Sequence, residues 1–170
     1  DVETGVEIMG LADTGSRLAL IDQAGRGHGP FGHVISTIPA PQARRLTRDL
    51  PEADKALAAV VMEPVWTLML VFEQVAALPD TVPAPFGTLL HNSAKPGRPA
   101  DPCTWVGHAD TGWRHHAAHR WRYARASVPL GQPYFETLGG RVLFGGDWAL
   151  GRMAEDAFRS GRAMGRAIAG

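Results

Sequence analysis

The 170-residue sequence predicts an α+β fold built around a mostly antiparallel sheet. Segments typical of strands come in groups: several strands, two helices, more strands, and one helix at the C-terminal end. Hydrophobic residues make up 45% of the chain and charged residues 20%, a composition that suits a globular protein with a buried core.

The N-terminal segments are short and strand-like. Residues 4–11 and 17–22 are apolar runs separated by Asp13-Thr14-Gly15, which is hairpin-turn chemistry. Residues 23–30 are rich in glycine and predict a hairpin loop. Residues 31–38, with β-branched residues in the middle, predict a buried strand.

Two helices and a second group of strands follow. Pro39-Ala40-Pro41 ends the preceding strand, because proline cannot donate to a sheet but suits the first turn of a helix. Helices are expected over 41–50 and 52–61, and VWTLMLVFE at 65–73 is the strongest strand signal. The remaining expectations are a proline-rich loop at 76–85, strands near 86–91, 103–108, 119–125, 133–138 and 141–144, and a helix from about 152.

Charge and cysteine content limit the function classes. The formal net charge is zero, so we expect no nucleic-acid partner and no anionic membrane surface. Cys103 is the single cysteine, which rules out an internal disulfide and favours a reducing compartment, the cytoplasm. A leader pattern and a run of 18 apolar residues are both missing, so neither secretion nor membrane spanning is expected.

The most distinctive motif is Gly145-Gly146-Asp147, between an apolar strand and the terminal helix. Glycines allow close approach of a ligand to the backbone, because they carry no Cβ. The N-terminus of a helix offers free N–H groups and partial positive charge, and the Asp147 carboxylate can accept hydrogen bonds from hydroxyls. The motif therefore predicts a site for a bulky polar ligand.

Several motifs together carry a family resemblance. They occur in the order FGHVISTIPAPQARRL, VWTLMLVFE, HNSAKPGR, TWVGHAD, HRWRYA and LFGGDWALGRMAEDAFRSGRAMGRAI. This series resembles the C-terminal half of a renalase-like, FAD-dependent protein of the amine-oxidase superfamily. The resemblance implies strands bordering an FAD-binding region at 1–40, a substrate domain with helices on one side of its sheet at 41–140, and the C-terminal strand and helix of an FAD/NAD(P)-binding domain at 141–170.

The resemblance also assigns residues to the cofactor. Gly145, Gly146 and Asp147 match the segment near the ribityl and pyrophosphate groups of FAD, although Asp147 could instead cap a helix. Ala154 matches a helix start whose backbone N–H approaches the flavin O2 edge. Val6 matches a strand residue that pairs with adenine, and Thr37 and Pro39 match a strand end near the cofactor. For Val6, Thr37 and Pro39 a plain core or turn role is an equal alternative.

Other residues are assigned to a small-molecule substrate. Asn92 and His108 match positions that face the flavin, with a solvent-facing Asn or a satisfied edge His as the alternative. Trp66, Trp121, Tyr123 and Trp148 could wall a flat aromatic pocket, although an aromatic residue on a strand more often belongs to the core.

The resemblance implies an oxidoreductase in which FAD accepts a hydride from a reduced amine or dihydronicotinamide and is reoxidised by O2. The family's G-x-G-x-x-G pyrophosphate turn belongs to a βαβ unit. GHGPFG at 27–32 has that glycine spacing, but it follows no βαβ pattern, so it is expected to be a hairpin loop and the pyrophosphate turn is not assigned. A non-catalytic substrate-domain module that binds no flavin is therefore the alternative function. The residues leave the oligomeric state open.

Two further clusters predict no site. His115 and His119 would share one face of a helix at a metal-binding spacing, but no acidic motif completes a ligand set, so a polar loop is expected. Arg44, Arg45 and Arg48 predict a solvated helix face, with anion binding as the lesser alternative.

Overall fold

The computed structural model describes residues 1–72, 81–84, 87–91, 96–97, 104–106 and 113–170. The chain divides into two compact units: unit 1 contains Asp1–Glu63 and Tyr123–Gly170, and unit 2 contains Pro64–Arg122. Residues 41–63 and 123–140 are part of unit 1.

The strands are β1 Ile8–Asp13, β2 Leu18–Asp22, β3 Gly27–Phe31, β4 Val34–Ser36, β5 Val61–Phe72, β6 Thr81–Ala84, β7 Gly87–His91, β8 Thr104–Val106, β9 Trp113–Val128, β10 Phe135–Thr137 and β11 Val142–Phe144. The helices are α1 Ala40–Ala43, a 3-10 helix over Arg44–Leu46, α2 Pro51–Ala58, α3 Asp147–Leu150 and α4 Ala154–Ala169. This mixture of antiparallel sheets and few helices confirms the predicted α+β class. The described helices lie in unit 1.

The first sheet of unit 1 is an antiparallel meander in the order β1-β2-β3. The prediction of a loop over 23–30 was wrong, because Gly27–Phe31 forms β3. The buried carboxylate of Asp22 accepts the backbone N–H groups of Ala24 and Arg26 at 2.8 and 2.9 Å. These bonds close a tight turn, so the chain returns at once as a strand.

The second sheet of unit 1 has the order β10-β11-β4. Strand β11 pairs antiparallel with β10 and parallel with β4, in the register Phe144↔Ser36. Its residues are fully or almost fully buried and form the core together with Leu57 and Ala53 of α2 and Trp148 of α3. Between Gly146 and the terminal helix the chain forms the short helix α3.

Unit 2 is built on a five-stranded sheet in the order β6-β7-β8-β5-β9, with β5 and β9 continuing into unit 1. The β6–β7, β7–β8 and β8–β5 pairs are antiparallel. Strand β6 occupies part of the segment expected as a proline-rich loop.

The His115–His119 segment lies in β9 rather than in a loop or helix. Four residues span about 13 Å along a strand, so this spacing does not bring two imidazoles to one metal ion. In the described part of the chain, no group of three or more potential ligands could hold a metal. Among the described residues, no helix combines the length and the hydropathy needed to span a bilayer.

Candidate functional site

Two of the predicted cofactor segments, at Thr37 and at Gly145–Asp147, lie side by side at the carboxyl ends of β4 and β11. Strands β4 and β11 are parallel, so their carboxyl ends lie side by side. The backbone N–H of Gly145 donates to the carbonyl oxygen of Ser36 at 3.0 Å, which places Thr37 and Gly145 as neighbours. In open sheets with parallel strands, ligands bind outside such carboxyl ends.

The reason for glycine at position 145 is internal packing. A Cβ atom there would lie 2.5 Å from Ser160 Oγ and 2.6 Å from Met164 Cε, both on helix α4 and both buried. The Ser160 hydroxyl also accepts the backbone N–H of Gly146 at 3.0 Å. The missing side chain therefore lets α4 approach β11, and the space is filled by protein.

Gly146 has a second constraint. Its φ of +153° favours glycine, and a Cβ atom would lie 2.8 Å from Trp148 Nε1. Trp148 is only 1% exposed, and its Nε1–H donates to the carbonyl oxygen of Ile38 at 3.1 Å. This placement favours the core alternative for Trp148, with the indole tying α3 to the end of β4.

The half-buried Asp147 stands at the start of α3. Its Oδ1 accepts the backbone N–H of the next residue, Trp148, at 2.8 Å, and Oδ2 has no hydrogen-bond donor among the described residues.

The exposed Ala154 is the first residue of α4. The Asp156 carboxylate accepts the N–H groups of Arg152 and Met153 at 3.0 Å each, so the protein supplies its own anion at this helix end.

A groove with a volume of 420 Å³ lies on the other side of β4, within unit 1. It is lined by residues 6–9, Leu20, residues 34–38, Gln42, Arg45 and Leu46. Val6 and Thr37, both predicted to contact the cofactor, are among these residues, whereas Pro39, Gly145, Gly146, Asp147 and Ala154 are not. Pro39 instead precedes α1, where its carbonyl oxygen accepts the N–H groups of Gln42 and Ala43.

Ser36 forms part of the groove wall and carries a buried polar atom. Its Oγ has no hydrogen-bond partner among the described residues. Buried hydroxyls are nearly always paired, because an unpaired one loses its hydration without compensation. The backbone carbonyl of the same residue is satisfied by Gly145.

The predicted aromatic pocket is divided between the two faces of a strand. Arg120 lies over the exposed indole of Trp66, with its Cζ 6.0 Å from the ring centroid. Trp121 instead packs edge-on against His119, and their ring centroids are 4.4 Å apart. Successive residues of β9 point to opposite faces, so Trp66 and Trp121 face away from each other. Tyr123 shares the parity of Trp121 and is half-buried.

Asn92 and His108 lie outside the described residues, so their substrate-facing roles stay predictions. Two features of the site were missed in the sequence. Gln42 and Arg45 line the groove, and Arg45 is exposed there, in agreement with the solvated helix face that was expected. Asp156 could have been found from its position three residues after Met153, which is the spacing of a capping residue.

The comparisons with known proteins concern the fold. No protein-family model matches the chain. A solved structure from Exiguobacterium sp. 255-15, described as "Putative protoporphyrinogen oxidase", is similar with a TM-score of 0.66 and 15% sequence identity. The similarity covers 96% of this chain and 46% of that structure, so the chain spans about half the length of its structural neighbour. At this identity the likeness shows a shared fold.

Proposed function

We propose that the chain is the part of an FAD-dependent oxidoreductase that receives the adenosine end of the cofactor in the groove beside β4. The observation that carries the proposal is the groove itself, since Val6 and Thr37 of the predicted cofactor set line one cavity. The fold shared with a structure described as an oxidase supports the same class.

The groove suits a nucleoside in size and chemistry. Its volume of 420 Å³ is near the low end of ligand pockets, which hold about 300–1,000 Å³. It therefore fits one end of a dinucleotide rather than the whole. Ile8, Leu20 and Val34 supply an apolar wall for a flat ring, and backbone of β1 and β4 supplies hydrogen-bonding groups.

The sequence suggested that the glycines of the Gly145–Asp147 segment leave room for a ligand, and their surroundings in the structure are different. The volume freed by its glycines is occupied by Ser160, Met164 and Trp148, so these glycines shape the protein rather than an open cradle. Asp147 Oδ2 is the group of this segment that remains available to a ligand hydroxyl.

FAD, when bound, would supply the hydride acceptor. The residues of this chain bind and orient it: the groove holds the base, and Asp147 accepts a hydrogen bond at the carboxyl end of β11. We propose a reduced amine or dihydronicotinamide as substrate, O2 as the oxidant that regenerates the cofactor, and the cytoplasm as the compartment.

Titration of the purified chain with FAD, ADP and FMN tests the proposal by isothermal calorimetry. FAD and ADP share the adenosine end and should both bind, whereas FMN lacks it and should not. The Thr37→Trp variant fills the groove from an exposed position and should weaken FAD and ADP together. Lys55→Trp, exposed on α2 and away from the groove, is the matched control. A folded chain that binds neither FAD nor ADP would refute the proposal, and equal binding of FMN and FAD would refute the groove as the anchor.

A non-catalytic module is the second candidate. The filled space behind Gly145 and Gly146 favours it, because that motif then needs no cofactor to explain it. The absence of any response to FAD and ADP is the result this candidate expects.

A further inference from the structure

The groove beside β4 has one cationic side chain in its wall. Arg45 comes from the 3-10 helix and stands among mostly apolar residues of β1 and β4. Gln42 adds a neutral amide to the lining, and the exposed Glu7 adds a carboxylate, so an anionic ligand group is favoured only next to Arg45. A ligand that matches this wall has a flat apolar part and an anionic part.

The neighbouring arginines differ in how they are used. Arg44 is paired with Asp54 through two bonds, at 2.8 and 3.1 Å, and this pair ties the 3-10 helix to α2. Arg45 takes part in no ion pair among the residues that the structure describes, and Arg48 is exposed and does not line the groove. Arg45 is thus the member of this cluster whose charge is directed to a ligand.

Phosphate is the anion that this placement favours. A guanidinium offers several N–H donors in a fixed planar fork that matches phosphate oxygens. Arg45 is exposed, so its guanidinium is free to turn toward a phosphate held in the groove. A bare nucleoside would gain the apolar contacts but leave the guanidinium unused.

We infer that Arg45 is a specificity-determining residue that contacts a phosphate of an adenine nucleotide, so that the groove selects phosphorylated ligands over adenosine. This inference rests on the proposed function in that it takes the groove as the nucleotide site. It adds the residue that contacts the phosphate, and the family resemblance assigns no residue to this contact.

The test compares ADP and adenosine binding to the wild-type chain and to the Arg45→Ala variant by calorimetry. We expect wild-type protein to prefer ADP, and Arg45→Ala to lose about tenfold in ADP affinity with adenosine affinity unchanged. Arg45→Lys should recover part of the loss, because the charge remains without the planar fork. Added salt should weaken ADP binding more in wild type than in Arg45→Ala.

Arg48→Ala is the matched control, since it removes the same charge from the same exposed segment outside the groove. Equal losses in Arg45→Ala and Arg48→Ala would overturn the inference, because they would indicate a general charge effect. ADP binding that is insensitive to Arg45 would overturn it and leave the proposed function standing. A folded chain that binds no adenine compound and no FAD would overturn both.

Discussion

Replacing Gly145 by alanine isolates the packing of α4 on β11. The backbone φ at this position is not in the positive range, so alanine adopts it without strain and the cost is steric. The added Cβ atom would lie 2.5 Å from Ser160 Oγ and 2.6 Å from Met164 Cε. Rotation of the Ser160 hydroxyl would break its hydrogen bond with the Gly146 N–H, and the Met164 side chain is 1% exposed, so neither contact is relieved without cost.

Overpacking of this kind costs about 1–3 kcal/mol. For a domain of this size each kcal/mol lowers the melting temperature by about 2–4 °C, so Gly145→Ala should melt about 2–12 °C below wild type. The assay is thermal and urea unfolding followed by circular dichroism and tryptophan fluorescence.

Gly161→Ala is the control on the same helix. A Cβ atom at Gly161 meets nothing within 4 Å, so alanine should be neutral or stabilise the helix by up to about 1 kcal/mol. A Gly145→Ala protein that unfolds with wild type, or a Gly161→Ala protein that is destabilised as much, would refute the packing argument.

Further predictions concern buried polar groups. Hydrogen bonds from His28 and Arg26 hold the pKa of Asp22 well below its ordinary value of 3.8. These bonds stabilise the folded chain above pH 3.8, and their contribution is lost as the pH falls through the lowered pKa. The urea midpoint of wild type should therefore fall on acidification. The midpoint of Asp22→Asn should be lower at neutral pH and should change less with pH. Trp148→Phe should lose about 1–3 kcal/mol in urea unfolding because the carbonyl of Ile38 loses its donor, and an unchanged midpoint would contradict that bond. Ser36→Ala should be neutral or stabilise by about 1 kcal/mol, since it removes a buried hydroxyl that has no partner in the described part of the chain. A clear loss of stability would contradict this reasoning.

Local sequence patterns predicted which helices and strands exist better than where each of them begins and ends. The strand at 65–73 and the terminal helix were found because apolar periodicity extends over many residues, and they correspond to β5 and α4. Strand β3 was missed because glycine and proline in 27–31 argue for a loop. The Asp22 turn that forces this segment into the sheet depends on a buried carboxylate, and burial is a tertiary property.

The assignment of residues to the cofactor stays a prediction, and the structure shows which of these residues lie together. Val6 and Thr37 are far apart in the chain, and the resemblance joined them to one ligand; both line the groove. Arg45 was not assigned, because a helix face bearing several arginines resembles ordinary solvated surface. Its place in the groove wall depends on how the 3-10 helix packs beside β1, and no local pattern encodes that packing.

By itself the sequence determined the α+β class and a Gly-Gly-Asp junction between a strand and the terminal helix, since both follow from residue types along the chain. Only the tertiary structure decided what fills the space beside those glycines. Ser160 and Met164 of helix α4 pack against Gly145, and the Trp148 ring packs against Gly146. The physical reason is that a glycine permits close approach by any neighbour, and only packing identifies whether that neighbour is a ligand or the protein itself.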